Sequence, residues 1–459
     1  MIPTMRPLNF ILCLAVATHC WAEDNILNKQ ASQSNLNTLV QIPVTSDNPD
    51  TKRLVNLGLL HFILGEAEQA CSVFLQAVKT DTACILAHAG ILMTSAPGSQ
   101  LYHEHLAYLN KLLPDAVLTP VEEWYLATFL QYTSGDSLGT AAALKERAAL
   151  YRRDVFAACW DIVLNHYTGR EQTAELTARA DELIRRSPEN GLVHFCKALL
   201  EEQALPPGRA ALDSSLRASA LISDSPVPHL LAGRLHYNSG NLPAAEKFFQ
   251  QARDTAAPDT EYSITAQLSL VSTCIRIGTR PARIQALQEA RKIAQKASSC
   301  TLDTPAGTLL HWEGKTTLLR LLVLQESAPA AQAINAATQA CKAPESNPLY
   351  SLQECLVEAI RTRSLADANR RTAAIQQLAK AEKHYQNLQR AAEEIMQKGG
   401  ISAICIRRAS QACMAALYRA KIALYPSTKD IWEEHLKEVL NAPQPRFLPP
   451  VIPQPGSPI

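Results

Sequence analysis

The sequence predicts an all-α chain built from helical hairpins in series, and three observations predict it. Alanine makes up roughly one residue in seven of the 459, while glycine numbers only 17, a balance that favours helix. Gly58, Gly65, Ala70, Phe74 and Ala77 are spaced by seven, five, four and three residues, and Gly233, Gly240, Ala245, Phe249 and Ala252 repeat those intervals. No run of alternating β-branched residues competes as a strand.

Residues 1–22 read as an address. Arg6 is their only charge, residues 8–17 are an apolar run broken only by Asn9, and Cys20-Trp21-Ala22 sets small residues at the third and last places before Glu23. That is the three-part layout of a secretory signal, with cleavage expected after Ala22. His19 and Leu12 precede Cys20 and Cys13 where a lipid-anchored leader carries a small residue, which argues against lipidation. Without this segment 43 basic side chains face 43 acidic ones, so no electrostatic footprint for nucleic acid or an anionic membrane is expected. No later stretch is long and charge-free enough to span a bilayer, so the exported product is expected to be free of transmembrane segments. Residues 23–50, rich in Asn, Gln and Ser, read as a polar lead-in.

From residue 51 to about 300 the spacing describes a helical hairpin. A small residue lets two helices approach, a second Gly turns the chain, and Ala followed by Phe packs back on the first helix. These residues resemble the tetratricopeptide repeat family, whose unit of 34 residues has an Ala-x3-Phe pair in its second helix. That pair is Ala70 to Phe74 and Ala245 to Phe249 here. Trp124 followed by Gly135, and Trp160 with Val163, Tyr167 and Pro188, fit the family's places as well. Frames therefore begin near Thr51, Ile85, Val121, Ala157, Gly191, Pro226 and Ile264, giving seven hairpins. His88, His194 and His229 stand where the family usually carries Trp, and Ala96-Pro97-Gly98 and Pro206-Pro207-Gly208 interrupt two units. Thr119-Pro120-Val121-Glu122 is a capping box with Pro at the first helical place.

After residue 300 the period is lost. Residues 309–326, 330–342, 350–363, 365–398, 401–424 and 431–441 read as longer helices that extend or cap the array as an irregular region over 301–441. Seven prolines among residues 442–459 predict an extended, disordered tail.

Ten cysteines follow the leader, spread through helical segments. Cysteine is among the most buried residue types, so they read as small core residues, with disulfides as the alternative. Cys405 and Cys413 are about 12 Å apart along one helix and cannot bridge.

No catalytic residue, metal ligand or cofactor site is predicted. Gly314-Lys315-Thr316 lacks the preceding Gly and strand of a phosphate loop. His103-Glu104-His105 has Ala107 where a zinc-protease helix needs its second His, and reads as a surface patch. Glu122-Glu123 and Glu393-Glu394 read as solvated helix charge.

The resemblance implies a right-handed superhelical solenoid whose first helices line a concave groove for a protein or peptide partner. By place in the frame it puts Leu59 and Phe62, Asp161 and Asn165, and Arg234, Tyr237 and Asn238 on that groove. Asp161 stands where the family's carboxylate clamp has Lys, so an acidic C-terminus is not the expected ligand. The function expected is a non-enzymatic interaction scaffold, exported to the periplasm or beyond. A glycan- or peptide-capture module is the alternative.

Overall fold

The computed structural model describes residues 39–168, 171–202, 206–296, 348–398 and 400–441. Among them are eighteen α-helices and no β-strand. The expected tail at 442–459 and helices at 309–326 and 330–342 lie outside the described residues, as does the expected leader.

The first fourteen helices come in pairs: α1 Pro49–Ile63 and α2 Ala67–Thr80, α3 Ile85–Thr94 and α4 Gln100–Leu112, α5 Pro120–Thr133 and α6 Ser137–Leu150, α7 Val155–Thr168 and α8 Thr173–Arg186, α9 Gly191–Leu200 and α10 Arg209–Leu221, α11 Pro226–Asn238 and α12 Leu242–Thr255, and α13 Glu261–Ile277 and α14 Arg280–Lys296. Every first helix starts within three residues of its expected frame.

The turns explain the glycines. Gly65, Gly135 and Gly240 have φ of 87°, 83° and 83°, a left-handed conformation that glycine adopts without penalty. In each case the next residue's N–H reaches back to a carbonyl of the first helix, as from Asn241 to His236 at 2.9 Å, satisfying orphan helix-end groups. Asp136 and Asn241 then cap the second helix with their side chains. The other glycine of the repeat is a contact. A Cβ on Gly58 or on Gly90 would lie 2.6 Å from Cε1 of Phe74, and one on Gly233 would lie 2.5 Å from Cε1 of Phe249. The aromatic ring therefore occupies the space a side chain would need.

The described residues form two compact units. The first holds 39–200 with 216–224, the second 201–215 with 225–441. In the first unit α1 packs on α2, α3 and α7, and α3 also on α5. Phe62 meets Tyr132 and Trp160 edge-on, with ring centroids 5.6 and 5.5 Å away, which ties α1 to α5 and α7. Arg147 is buried among the rings of Trp124, Tyr125 and Tyr151 and pairs with Asp154 at 2.5 Å. The capping box forms as read, with Thr119 and Glu122 bonding reciprocally.

In the second unit α11, α12 and α13 share one core, while α13 and α14 share another with α15 Pro348–Asp367, α16 Arg371–Lys398 and α17 Gly400–Leu424, the last three packing on one another, and α18 Lys429–Asn441 packs on α17. The sequence reads 365–398 as one helix, but the chain breaks it. Asn369 takes φ 59° and the N–H of Arg370 donates to the carbonyl of Leu365, ending α15 before α16 begins.

Candidate functional site

Residues 39–47 hold the least expected arrangement. They form neither helix nor strand, and their burial alternates: Val40, Ile42 and Val44 are buried, whereas Gln41, Pro43 and Thr45 are exposed. A period of two is what extended backbone produces. This strap lies against helix ends and turns that are far apart in sequence, and side chains there bond to it along its length.

Asn56, in the second turn of α1, makes the most specific contact. Its Oδ1 accepts from the N–H of Ile42 at 2.9 Å, while its Nδ2 donates to the carbonyl of the same residue at 3.3 Å. One amide thus satisfies both polar groups of one strap residue, as a neighbouring strand would. The Glu122 carboxylate at the start of α5 accepts from the N–H of Thr45 and from its hydroxyl, the latter at 2.5 Å. Ser46 donates to Asp81 at 2.5 Å, and Asn190 donates to the carbonyl of Leu39 at 2.9 Å. Asn48 ends the strap by capping α1.

Glu122 is 1 % exposed, so the reading of it as solvated charge is corrected. Burial pushes its carboxyl up, but the hydroxyl of Thr45, the N–H groups of Thr119 and Thr45 and the hydroxyl of Thr119 together hold it below the ordinary 4.5. Its negative charge is kept by donors, two of which the strap supplies.

Of the seven residues that the resemblance put on a groove, four are buried and three are half-buried. Leu59, Phe62, Asp161 and Asn165 are all buried in the first unit. Leu59 is fully enclosed, and Phe62 sits in the ring cluster beside a cavity of about 20 Å³ that it lines with Tyr132, Trp160 and Tyr167, room for one water. Asp161 pairs with Arg179 and accepts from Asn165 at 2.7 Å, and Arg179 continues to Glu171 at 2.5 Å. These side chains knit α7 to α8 and offer no open face. In the second unit Arg234, Tyr237 and Asn238 are half-buried. Arg234 pairs with Glu202, and Arg276 lies 4.6 Å over the ring of Tyr237 while donating to its carbonyl at 2.6 Å.

His103 and His105 do not form a patch. His103 is exposed, but His105 is buried, with its Nδ1 2.8 Å from Nδ1 of His88, whose Nε2 donates to the carbonyl of Thr82 at 3.0 Å. Burial pulls both imidazoles below their ordinary value, so each is neutral at pH 7 and the pair acts as one donor and one acceptor. Among the described residues no three His, Cys, Asp or Glu side chains converge as a metal ion requires, and no helix is long and apolar enough to cross a membrane.

The chain matches no protein-family model and no curated protein.

Proposed function

We propose that the chain is a non-enzymatic interaction scaffold of tetratricopeptide type, exported by its leader, whose N-terminal hairpins recognise an extended segment along the track that residues 39–47 occupy. The observation that carries the reading is Asn56 bonding both the N–H and the carbonyl of Ile42 between alternately buried Val40, Ile42 and Val44. Backbone bonds of this kind supply affinity for any extended chain, and the apolar recesses beneath select alternate side chains. The partner is accordingly an extended protein segment with aliphatic residues at alternate positions and a Ser or Thr to meet Glu122. The close seating of Phe74 on Gly58 and Gly90, and of Phe249 on Gly233, supports the tetratricopeptide reading. Net charge near zero fits a protein ligand better than a polyanion.

The seated strap competes with such a partner, because it is joined directly to α1 and is always at hand. The test is therefore made on a full-length Ile42→Asp/Val44→Asp chain, in which the strap no longer pays for its own ordering. A fluorescent peptide with the sequence of residues 38–48 is titrated onto it and followed by anisotropy. Saturable binding at least tenfold tighter than to the unaltered chain, and lost when Asn56→Ala is added, is the expected outcome. If the altered chain retains its helicity and binds no peptide, the track is not a recognition surface.

A further inference from the structure

Cysteines on different helices, free thiols in this structure, come together twice. In the first unit Cys159 of α7 and Cys196 of α9 are both fully buried, and the Cys196 thiol points at the carbonyl of Cys159, 3.8 Å away. The two helices pack directly on each other. In the second unit Cys355 of α15 and Cys413 of α17 are likewise fully buried. There the Cys413 thiol points at the carbonyl of Leu352, one turn before Cys355, at 3.9 Å, again between packed helices. Cys71, which is half-buried, has the Ser95 hydroxyl as its neighbour at 3.9 Å. Cys84, which precedes α3, and Cys274, which lies on α13 in the same core as Cys355 and Cys413, are also buried.

We propose that Cys159 with Cys196, and Cys355 with Cys413, are the sites of two disulfides, each joining helices that are neighbours in space but not in sequence. The oxidant is a protein or small-molecule disulfide. The thiolate of one cysteine attacks it, forms a mixed disulfide and releases one oxidant thiol. The second cysteine then attacks the mixed disulfide and releases the other. The pair gives up two electrons and two protons and the oxidant takes both, so the exchange balances. Because no sulfur of either pair reaches solvent, exchange takes place before the helices close, and the finished bonds are shielded from reductant. Burial pushes the thiols of Cys159 and Cys413 well up, so an unoxidised pair in the folded chain is a poor nucleophile and stays inert. The supply of oxidant in the cell rests on the export reading. The pairing itself does not.

The full chain is denatured, refolded in a glutathione redox buffer, alkylated under denaturing conditions without reduction, digested and mapped by mass spectrometry. The expected result is two linked peptide pairs, 159 with 196 and 355 with 413, with Cys71, Cys84 and Cys274 alkylated. A Cys159→Ala chain should free Cys196 for alkylation, leave the second bond in place and recruit no substitute cysteine. Alkylation of all four, or linkage to other cysteines, overturns the proposal. The same mapping on chain taken directly from the producing cell separates the two readings: bonds that form on refolding but are reduced in the cell uphold the pairing and count against export.

Discussion

Phe74 and Phe249 show how one residue fixes the approach of two helices. Each ring fills the space that a Cβ on the facing glycine would need, at 2.5 to 2.6 Å. Gly233→Ala therefore opposes two effects. Alanine improves helix propensity by up to about 1 kcal/mol. Overpacking against Phe249, which is 2 % exposed and has little room to yield, costs about 1–3 kcal/mol. Packing wins, so the variant should unfold at lower denaturant, with a loss of about 1–2 kcal/mol. Gly233→Ala/Phe249→Leu should recover part of it, which a mere change in the unfolded chain would not allow. This link was legible in the sequence because both copies keep the same interval between Gly and Phe.

At the scale of an element the strap depends on charge as well as on burial. Glu122 is a carboxylate whose pKa is lowered by donors that include Thr45, so it contributes to seating above its ordinary 4.5 and loses that contribution as pH falls through the lowered value. Acidification below pH 4.5 is expected to release residues 39–47 before the helices melt, read as a rise in protease cleavage there while helicity is constant. Glu122→Gln should raise that cleavage about tenfold at pH 7, since a bond to a charged group is worth about 1.5–3 kcal/mol, and should flatten the acid response. A cleavage rate that ignores both pH and the substitution would show that Glu122 does not hold the strap.

The same element marks where sequence reasoning stopped. Val40, Ile42 and Val44 alternate over too few residues to announce a strand, and Pro43 demotes them further. Their partners are 14 to 151 positions away, and Asn56, Glu122 and Asn190 look individually like ordinary helix-surface or capping residues. The alternation was the one available clue. The capping box at Thr119 was read correctly, yet the second use of its Glu122, as acceptor for Thr45, was invisible to local pattern.

For the molecule as a whole, the hairpin starts were legible to within three residues because turns, caps and prolines are written locally. What the first helices face was not. Position in the repeat frame says which way Leu59, Phe62, Asp161 and Asn165 point, but whether that face is open depends on side chains from α5, α7 and α8. Here Tyr132, Trp160 and Arg179 close it. In the function proposed above, recognition falls instead along the track of the strap, which Asn56, Glu122 and Asn190 bond.

The central claim is that residues 39–47 are an occupant of the N-terminal hairpins and not part of their core. Native-state hydrogen exchange tests it most directly, because it reports the free energy at which each segment opens. The amides of Ile42 and Thr45, bonded to Asn56 and Glu122, are compared with those of Leu59 and Leu60 inside α1. Opening of the strap at a free energy several kcal/mol below that of α1, with the α1 amides still protected, is the result predicted. Exchange of all four amides at one common free energy would contradict the account, since the strap could then leave only when the hairpins unfold.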